Sequence, residues 1–471
     1  MKEIYESPFT ARYASETMTK LFSADMRYVT WRKLWLALAK AEKALGLPIS
    51  DAQISEMSEH LIDIDYAAVA EREKEVKHDV MAHLYAFGKA APGAAGIMHL
   101  GATSCYVTDN ADLVIYREAL LLVRKELLSV IKGLWAFADR YKAMPTLGYT
   151  HYQPAQLVTV GKRATLWLQD FVTDLSDLDA LLKDMKFLGC RGTTGTEASF
   201  MELFEGDEGK VDEMNAKIAA SFGFNACYDV CGQTYPRKTD SRIMKVLSSL
   251  AESASKFATD LRLLQHDGEI TEGFGAKQVG SSAMAYKSNP MHAERICSLS
   301  RYLMTDALNG ALTSSAQWLE RTLDDSANRR IAMCEGFLAA DAILLLVADV
   351  VGGLVVNERI IAKHVADYLP FIATENLLME GVKRGGDRQA LHEIIRQASL
   401  RAKEIMKQGG TPDLLADLAE SQAFAMNREE MERVLDPTLY TGRAAAQTAA
   451  YLEKIWSIAA EGEEPSAKIN I

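Results

Sequence analysis

Long stretches of the chain repeat apolar residues at steps of three and four positions, the spacing of one helical face. Residues 239–267 contain neither Gly nor Pro, so they predict one uninterrupted helix. The same periodicity predicts helices over 112–142, 162–188, 311–335 and 339–351. Helices of about 25–30 residues span roughly 40 Å and bury their apolar faces against one another. The apolar positions of the first helix are Ile243, Val246, Leu247, Leu250, Ala254, Phe257, Leu261 and Leu264.

Strand signals are weak, because alternating runs such as LVTV (157–160) are too short to build a sheet. A chain of 471 residues is also too long for one compact core. We therefore predict an all-α, elongated protein of three domains around a central bundle of long helices. The predicted domains are an N-terminal helical domain (1–111), the central bundle (112–364) and a C-terminal helical domain (365–471).

Composition narrows the function classes. The chain has 52 Lys and Arg against 64 Asp and Glu, a formal charge of −12, so we expect neither nucleic-acid nor membrane-surface binding. The first residues lack the apolar run of a secretory signal, and we expect no membrane span. The six cysteines are dispersed, which favours reduced thiols and a cytoplasmic location.

Five polar segments interrupt the helices, at 77–83, 98–104, 148–156, 189–196 and 280–291. Each has an ordinary explanation when it is considered alone. A Thr-Ser pair before an apolar run is usually a helix cap, and a single His is often a satisfied loop residue. Their number, in one helical chain that needs only simple loops, favours a functional site assembled from several of them.

The segment GSSAMAYKSNPM (280–291) is the most informative of the five. Its small residues expose backbone N–H groups, and two hydroxyls precede Lys287 and Asn289. Such a loop is suited to holding a carboxylate and to closing over a substrate. A flexible linker is the alternative, but a linker has no need of this lysine and this amide.

Basic residues near the polar segments support either of two interpretations. They form salt bridges on a solvated face, or they line a cationic pocket for a phosphate or several carboxylates. No phosphate-binding Gly-rich loop and no dinucleotide fingerprint occur in the sequence, which disfavours ATP-driven and nicotinamide chemistry. The residues in question are Arg12, Lys287, Arg295, Arg321, Arg329 and Arg330.

The stretch GSSAMAYKSNPMH (280–292) resembles the signature loop of the fumarase/aspartase superfamily, for which the pattern SSxMxxKxNP is specific. HLGATS (99–104), THYQPAQ (150–156), GQTY (232–235) and RTLDDSANRR (321–330) resemble the branch that acts on succinylated purine nucleotides. TEN (374–376) and TGR (441–443) also fit, so the resemblance extends from Arg12 into the C-terminal domain.

The resemblance implies a fumarase/aspartase-like fold and a carbon–nitrogen lyase of purine biosynthesis. The implied reaction is β-elimination of fumarate from adenylosuccinate, giving AMP. The same reaction is implied for the succinylated aminoimidazole carboxamide ribotide SAICAR, giving AICAR. Neither a metal nor an organic cofactor is implied.

Three positions depart from the family pattern. Ala285 stands where the loop usually carries Pro, Ser288 where it often carries a basic residue, and Lys77 where many relatives carry Arg. Loss of the Pro predicts a more mobile open loop, because a fixed φ is given up. Lys in place of Arg exchanges a bidentate fork for a point charge. The reaction type is unaffected.

The elimination needs a base for a carbon-bound proton, stabilisation of the adjacent carboxylate, and an acid for the departing nitrogen. By the resemblance, Ser281 is the base, with its alkoxide stabilised by the loop N–H groups and Lys287. His151 is the acid, oriented by Glu294. His78 is the alternative acid, and otherwise binds near the phosphate or the succinyl group.

The other implied residues bind the substrate. Asn289 and Lys287 hold the succinyl carboxylates, with Thr103 and Ser104 assisting. A larger group of residues, on several segments, is implied to bind the phosphate and the base edge. That group consists of Arg12, Tyr13, Arg321, Ser326 and Arg330, with Gln233 and Arg295 nearby, and Lys77 and Asp79 complete the predicted binding residues.

These segments are far apart along the chain, so one chain need not bring them together. In the superfamily, four chains pack their central helices into a homotetramer, and each site draws on three of them. The resemblance implies the same here, and the apolar face over 243–264 is the sequence feature that suggests a packing surface.

Three alternatives remain open at this point. Within the superfamily, argininosuccinate lyase or aspartase activity is one alternative, but it would not explain why the RTLDDSANRR cluster is present. A helical assembly without activity would not need Ser281, Lys287, Asn289 and His151 together. A helical nucleotide-binding module is the third alternative. Release of fumarate from adenylosuccinate separates all three from the implied enzyme.

Overall fold

Helices dominate the structure. The computed structural model describes residues 3–275 and 278–465 of the chain. Among these residues, strands contribute only two short antiparallel pairs, which confirms the predicted all-α class. The longest helix, Ser104–Arg140, has 37 residues and rises about 55 Å at 1.5 Å per residue, so the molecule is elongated as predicted.

The N-terminal region contains short and medium helices that begin at polar caps. A π-helical turn covers Phe9–Tyr13. The side chains of Ser15, Ser23 and Ser50 each accept a backbone N–H at the start of a helix. The helices are α1 (Glu16–Leu21), α2 (Ala24–Ala44), α3 (Asp51–Glu59), α4 (Tyr66–Val76) and α5 (Asp79–Ala90), followed by a 3₁₀ turn (Ala95–Ile97).

The central bundle is built from four long helices and their connections. Its helices are α6 (Ser104–Arg140), α7 (Val160–Asp184), α8 (Ala198–Leu203), α9 (Glu208–Ser221), α10 (Lys238–His266), α11 (Met291–Asp306), α12 (Leu308–Ser315) and α13 (Asp325–Gly353). Its strands are β1 (Pro145–Thr150), β2 (Gln153–Thr159), β3 (Ile270–Thr271) and β4 (Val355–Val356).

The C-terminal region forms a second hydrophobic core, distinct from that of the bundle, between residues 377 and 431. The last two helices return to the bundle and pack on α6 and α7. The predicted divisions after 111 and 364 stay predictions. The helices are α14 (Glu358–Ile372), α15 (Thr374–Lys383), α16 (Arg388–Lys407), α17 (Leu414–Ala419), α18 (Arg428–Val434), α19 (Ala444–Lys454) and α20 (Trp456–Glu461), with 3₁₀ turns at Gln422–Phe424 and Pro437–Tyr440.

The apolar face over 243–264 is buried inside a single chain. Ile243, Leu250 and Leu261 are at most 1% exposed, and α10 packs against α7, α11 and α13. A group of exposed apolar residues lies around α12 and the start of α13. They are Leu308, Leu312, Trp318, Leu319, Leu323 and Ile331.

Two expectations about elements were wrong. The run 157–160 does not stand alone, because β1 and β2 form a hairpin in which Leu147 lies opposite Leu157. The predicted helix over 311–335 is broken between α12 and α13. Between them Leu319 has a φ of 49°, and the carbonyl of Glu320 accepts the N–H of Gln233 at 3.0 Å, a contact between distant segments. The predicted helix over 339–351 is the second half of α13.

Among the described helices, α13 alone is long and apolar enough to cross a membrane, judged by length and composition. Most of its apolar window, 78%, is buried inside the chain. That burial is typical of a core helix.

Glu42 of α2 is a buried acid without a partner. Its exposed fraction is 0%, neither carboxyl oxygen has a hydrogen-bond partner, and burial raises its pKa to about 8. The native state therefore holds this proton more tightly than the unfolded chain does. Stability is lost as the pH rises from about 4.5 to about 8.

The Glu42→Gln variant has no ionisable group at this position. We therefore expect the difference in free energy of unfolding between the variant and the native protein to grow in the variant's favour as the pH rises over that range. The expected gain is about 3 kcal/mol between pH 5 and pH 7, at 1.36 kcal/mol per pH unit. Denaturant unfolding at several pH values measures the difference, and Glu71→Gln on an exposed surface of α4 is the control. Parallel pH profiles for the native protein and Glu42→Gln would contradict the assignment.

Candidate active site

A cavity of about 700 Å³ opens where the N-terminal ends of α2, α5, α6 and α13 converge with the loop before α10. Most of the predicted binding residues line it, although they come from two of the polar segments (77–83 and 98–104) and from the motifs at 232–235 and 321–330. The predicted residues in the cavity wall are Lys77, His78, Asp79, Thr103, Ser104, Gln233, Arg321, Ser326 and Arg330.

The cavity rests on a buried ion network centred on Arg237, which is 4% exposed. Its guanidinium donates to Asp109 of α6 at 2.8 Å and to Asp325 of α13 at 2.5 Å. Burial would lower the pKa of Arg237, but Asp109 together with the other acidic neighbours outweighs burial, and the pKa rises. The network therefore ties the start of α6 to the start of α13.

Arg329 is largely buried beside Arg237 and is held by carboxylates of its own. It donates to Asp240 at 2.6 Å and to Asp112 at 3.1 Å, and it also contacts the hydroxyl of Tyr235. Arg329 nevertheless lines the cavity together with Arg321 and Arg330, so its charge reaches the cavity from within the salt-bridge network. Its position in α13 turns it inward, whereas the next residue, Arg330, remains 57% exposed in its side chain.

Arg321 and Arg330 present cationic groups to the cavity and are each held by one carboxylate. Arg321 donates to Asp325 at 2.8 Å, and Arg330 donates to Asp79 at 3.2 Å. Each guanidinium has further N–H groups for an anion. Ser326 lies between these two arginines, at the N-terminal end of α13.

The N-terminal end of α6 faces the cavity with free donors. Thr103 is the N-cap residue, but its side chain makes no capping hydrogen bond. The first N–H groups of a helix have no intrahelical partner and bind anions readily. The Ser104 hydroxyl lies 3.2 Å from Nε2 of His78. A carboxylate is the ligand that suits this set of donors.

His78 is constrained on both sides of its ring. Nδ1 accepts the N–H of Met81 at 3.4 Å as the cap of α5. A neutral ring in this arrangement carries its hydrogen on Nε2, which faces Ser104. This geometry suits a binding residue better than a proton donor to a leaving group.

Cys105 was not predicted, although it directly follows the HLGATS motif. Burial raises its pKa to about 12, so the thiol stays protonated and donates to Oε1 of Gln233 at 3.5 Å. The thiol thereby orients the Gln233 amide, whose NH₂ group remains to donate to a ligand. Arg27 of α2 also lines the cavity, and no motif in the sequence signals it.

His151 lies outside the cavity wall, at the tip of the β1–β2 hairpin. Thr150 pairs with Gln153, and the two residues between them, His151 and Tyr152, have φ values of 52° and 56°. Tight hairpin turns of this kind need positive φ at both central positions, for which Asn and Gly are the usual residues. A non-Gly pair in such a turn carries strain that is characteristic of functional positions.

The signature loop also lies outside the cavity wall, on an exposed part of the chain. Oγ of Ser281 accepts the N–H groups of Ala283 at 3.4 Å and Met284 at 3.2 Å. Lys287 is exposed. The amide of Asn289 donates to the carbonyl of Gly280 at 2.8 Å, which closes the base of the loop.

Glu272 fastens the end of the loop to the bundle. Its carboxylate accepts the N–H groups of His292 at 3.1 Å and Ala293 at 3.0 Å, at the start of α11. The side chain of Gln265 donates to the carbonyl of Ser288 at 3.0 Å. The loop is therefore anchored at its C-terminal side while its middle is exposed.

The remaining predicted residues form a third group beside α11. The guanidinium of Arg295 lies over the ring of Tyr13 at 5.7 Å, and Arg12 and Glu294 are exposed. Within one chain, the described residues include no hydrogen bond or ion pair between Glu294 and His151. Across residues 3–275 and 278–465, no group of His, Cys, Asp and Glu side chains is arranged to hold a metal ion.

Two family models match the chain. One is described as a lyase and covers residues 8–304, and the other is described as the adenylosuccinate lyase C-terminus and covers residues 370–451. The adenylosuccinate lyase of Schizosaccharomyces pombe is 49% identical over 96% of this chain and 94% of its own length. That of Saccharomyces cerevisiae is 46% identical over the same shares.

Solved structures share the fold at lower identity. A fumarate lyase from Mesorhizobium sp. BNC1 has a TM-score of 0.79 at 22% identity, covering 96% of this chain and 99% of its own. A 3-carboxy-cis,cis-muconate lactonizing enzyme from Pseudomonas putida has a TM-score of 0.82 at 22% identity with the same coverage. These likenesses confirm the fumarase/aspartase-like architecture.

Arg237→Met should destabilise the protein by about 3–5 kcal/mol, because it leaves buried carboxylates without their counter-ion. Arg242→Met is the matched control. Arg242 pairs with Asp184 at 2.9 Å, but its side chain is 47% exposed, and such surface pairs contribute about 0–1 kcal/mol. Urea unfolding at one protein concentration measures both variants. Equal losses would contradict the role of the buried network.

Proposed function

Because this chain belongs to the adenylosuccinate lyase family, we propose that its three groups of polar residues divide one β-elimination among them. The chain is a carbon–nitrogen lyase that eliminates fumarate from adenylosuccinate, giving AMP, and from SAICAR, giving AICAR. The observation that supports this proposal is the cavity, because nine residues predicted from separate motifs line one space.

Ser281 is the base in this proposal. A serine hydroxyl removes a carbon-bound proton only when its alkoxide is stabilised. Support comes from the two loop N–H groups already directed at Oγ, and Lys287 adds a positive charge when the loop closes. The proton leaves the succinyl carbon, the carbon–nitrogen bond breaks, and a double bond forms between the two carbons that become fumarate.

The succinyl carboxylates bind at the N-terminal end of α6. Thr103 and Ser104 offer hydroxyl and N–H donors there, and Nε2 of His78 adds a third kind of donor. Charge that builds on the carboxylate beside the reacting carbon is stabilised by donors that are already in place. Asn289 and Lys287 approach the same carboxylates from the loop.

His151 is the acid that protonates the departing nitrogen. Its exposed position at a strained hairpin tip leaves both ring nitrogens available, whereas those of His78 already have neighbours. Glu294 orients His151 from another chain, since the two do not contact within one chain. His78 remains the alternative acid.

The nucleotide phosphate and base are bound by the cations and amides of the cavity and of the N-terminal segment. Arg321 and Arg330 have N–H groups to spare beyond their carboxylate partners. Gln233 donates to the base edge through the amide that Cys105 orients. The other proposed ligands are Arg12, Tyr13, Lys77, Asp79, Arg295 and Ser326.

The enzyme is a homotetramer with shared sites in this proposal. Neither Ser281 nor His151 lines the cavity of its own chain, so a complete site requires groups from neighbours. The exposed apolar residues around α12 and the start of α13 provide a surface for packing. Leu308 is 60% exposed and Leu319 is 90% exposed. Leucines that are this exposed and lie close to other exposed apolar side chains are typical of an interaction surface.

The proposal includes a cytoplasmic enzyme that acts without a cofactor and binds neither nucleic acid nor membrane. The acidic charge of −12 supports the absence of nucleic-acid binding. All six cysteines are free thiols, which supports a reducing compartment.

Loss of the base should abolish turnover and spare binding. The native enzyme should release fumarate from both substrates in an ultraviolet assay, and Ser281→Ala should lower kcat by orders of magnitude on both. Calorimetry should show that Ser281→Ala still binds adenylosuccinate. Ser282→Ala, next to it in the same loop, is the matched control. Near-normal turnover in Ser281→Ala would remove this residue from the base role.

Shared sites predict complementation between inactive variants. Ser281→Ala and His151→Ala chains, mixed under mild subunit exchange, should regain part of the activity because some sites then combine two intact groups. Native mass spectrometry confirms that mixed tetramers form. Mixed tetramers without activity would contradict the sharing of sites, and each variant exchanged with itself is the control.

A further inference from the structure

Helix α13 carries one fully buried carboxylate in its most apolar stretch. Residues 336–351 are otherwise apolar except for Asp349, which pairs with His292 at 3.0 Å. Asp341, in contrast, has an exposed fraction of 0%. Removing a carboxylate from water costs several kcal/mol unless strong donors replace the water. Its place in the helix therefore requires a specific partner.

That partner is one residue, Ser15, at the start of α1. The N–H of Ser15 donates to Oδ2 of Asp341 at 2.5 Å, and its hydroxyl donates to Oδ1 at 2.7 Å. Oγ of Ser15 also accepts the N–H of Met18 at 3.0 Å and so caps α1. One carboxylate thus fixes both the backbone and the side chain of Ser15.

Ser15 ends a segment that lies along α11 and α13, which we call the N-terminal strap (residues 7–15). The Ser7 hydroxyl donates to Glu335 at 3.3 Å. The Phe9 ring lies 5.3 Å from the ring of Tyr302. Phe9 is also buried in the main hydrophobic core, at 7% exposed. The strap is therefore held by apolar burial at Phe9 and by the paired hydrogen bonds of Ser15 at its C-terminal end, next to Arg12 and Tyr13.

A second acid supports the anchor. Oε2 of Glu126 on α6 is inaccessible to solvent and receives no hydrogen bond. Burial first, and the Asp341 carboxylate next, raise the pKa of Glu126 well above its ordinary range. Glu126 therefore holds a proton and donates it to Asp341, and the pair carries a single negative charge. Burial also raises the pKa of Asp341, and the hydrogen bonds from Ser15 and Glu126 oppose that rise. With the shared proton on Glu126, both oxygens of Asp341 can accept from Ser15.

We propose that Asp341 is a positioning residue for substrate binding, which fixes Arg12 and Tyr13 through Ser15 and so places them for the phosphorylated end of the substrate. The inference rests on the proposed function, in which Arg12 and Tyr13 bind that end. Tyr13 already lies under the guanidinium of Arg295. Arg12, which is exposed, depends on the strap alone for its position.

Two variants test the inference. Asp341→Asn turns one acceptor into a donor that opposes Ser15, and Ser15→Ala removes the hydroxyl from the other side of the contact. Each should raise the KM for adenylosuccinate about tenfold, the equivalent of 1.4 kcal/mol, and change kcat by less than about threefold. Amide hydrogen exchange should rise in residues 9–15. Ser15→Thr keeps both donors and should restore the native values.

Ser50→Ala is the matched control, because Ser50 caps α3 by the same kind of hydrogen bond but has no buried carboxylate partner. It should leave the KM and the exchange of residues 9–15 unchanged. An unchanged KM in folded Asp341→Asn and in Ser15→Ala would overturn the inference. If Asp341→Asn does not fold, Ser15→Ala decides alone, since Ser15 is only partly buried.

Arg12→Ala separates this inference from the proposed function. An unchanged KM in Arg12→Ala contradicts the proposed role of Arg12. A raised KM in Ser15→Ala would then assign the effect to Tyr13 and still support the inference. A raised KM in Arg12→Ala together with an unchanged KM in Ser15→Ala overturns the inference and leaves the binding role of Arg12 intact.

Discussion

The buried contact between Arg237 and two aspartates sets the geometry on which the binding cavity depends. Asp109 belongs to α6 and Asp325 to α13, so one guanidinium fixes the separation of the two helix starts. The donors of Thr103 and Ser104 lie at the first start, and Ser326 and Arg330 lie near the second. In the proposed function, the two anionic ends of the substrate bind at these two helix starts, whose separation the protein fixes before binding. Geometry of this quality is what makes a buried ion pair favourable.

The exposed groups contrast with this rigid base. The signature loop is anchored at its C-terminal side by Glu272 and Gln265 while its middle is exposed. His151 stands on a two-residue turn that projects from the bundle. The proposed ligands in the cavity wall thus lie at the ends of packed helices, and the groups proposed to move protons lie on exposed segments. This division combines preorganised charge stabilisation with access for the substrate.

The sequence predicted the features that local spacing determines. The face of α10 was predicted because the apolar period is a property of adjacent residues. The break before α13 was missed because no Gly or Pro between 311 and 335 marks it, and the contact between Glu320 and Gln233 there joins residues far apart in the chain. The β1–β2 hairpin was missed for the same reason, since pairing and not alternation makes so short a strand stable.

The residues of the site likewise include some that the sequence could predict and some that it could not. Motif segments supplied nine residues of the cavity wall, because each segment starts or ends a helix there. Arg329 and Arg330 are adjacent in sequence and both line the cavity, but only the packing of α13 decides that Arg329 is buried among carboxylates while Arg330 stays exposed. Arg237 and Asp109 carry no pattern that marks them as partners. Asp341 is different. The sequence shows that it is a single acid in an aliphatic run, and only its partner has to be learned from the structure.

The apolar character of α13 has a consequence for how the chain is made. When it leaves the ribosome, this stretch is as hydrophobic as a membrane-spanning helix. Its neighbours α6, α10 and α11 are all encoded before it, so they are already synthesised when it emerges. The order of helices in the gene therefore shortens the interval in which this surface is free to aggregate or to engage targeting machinery.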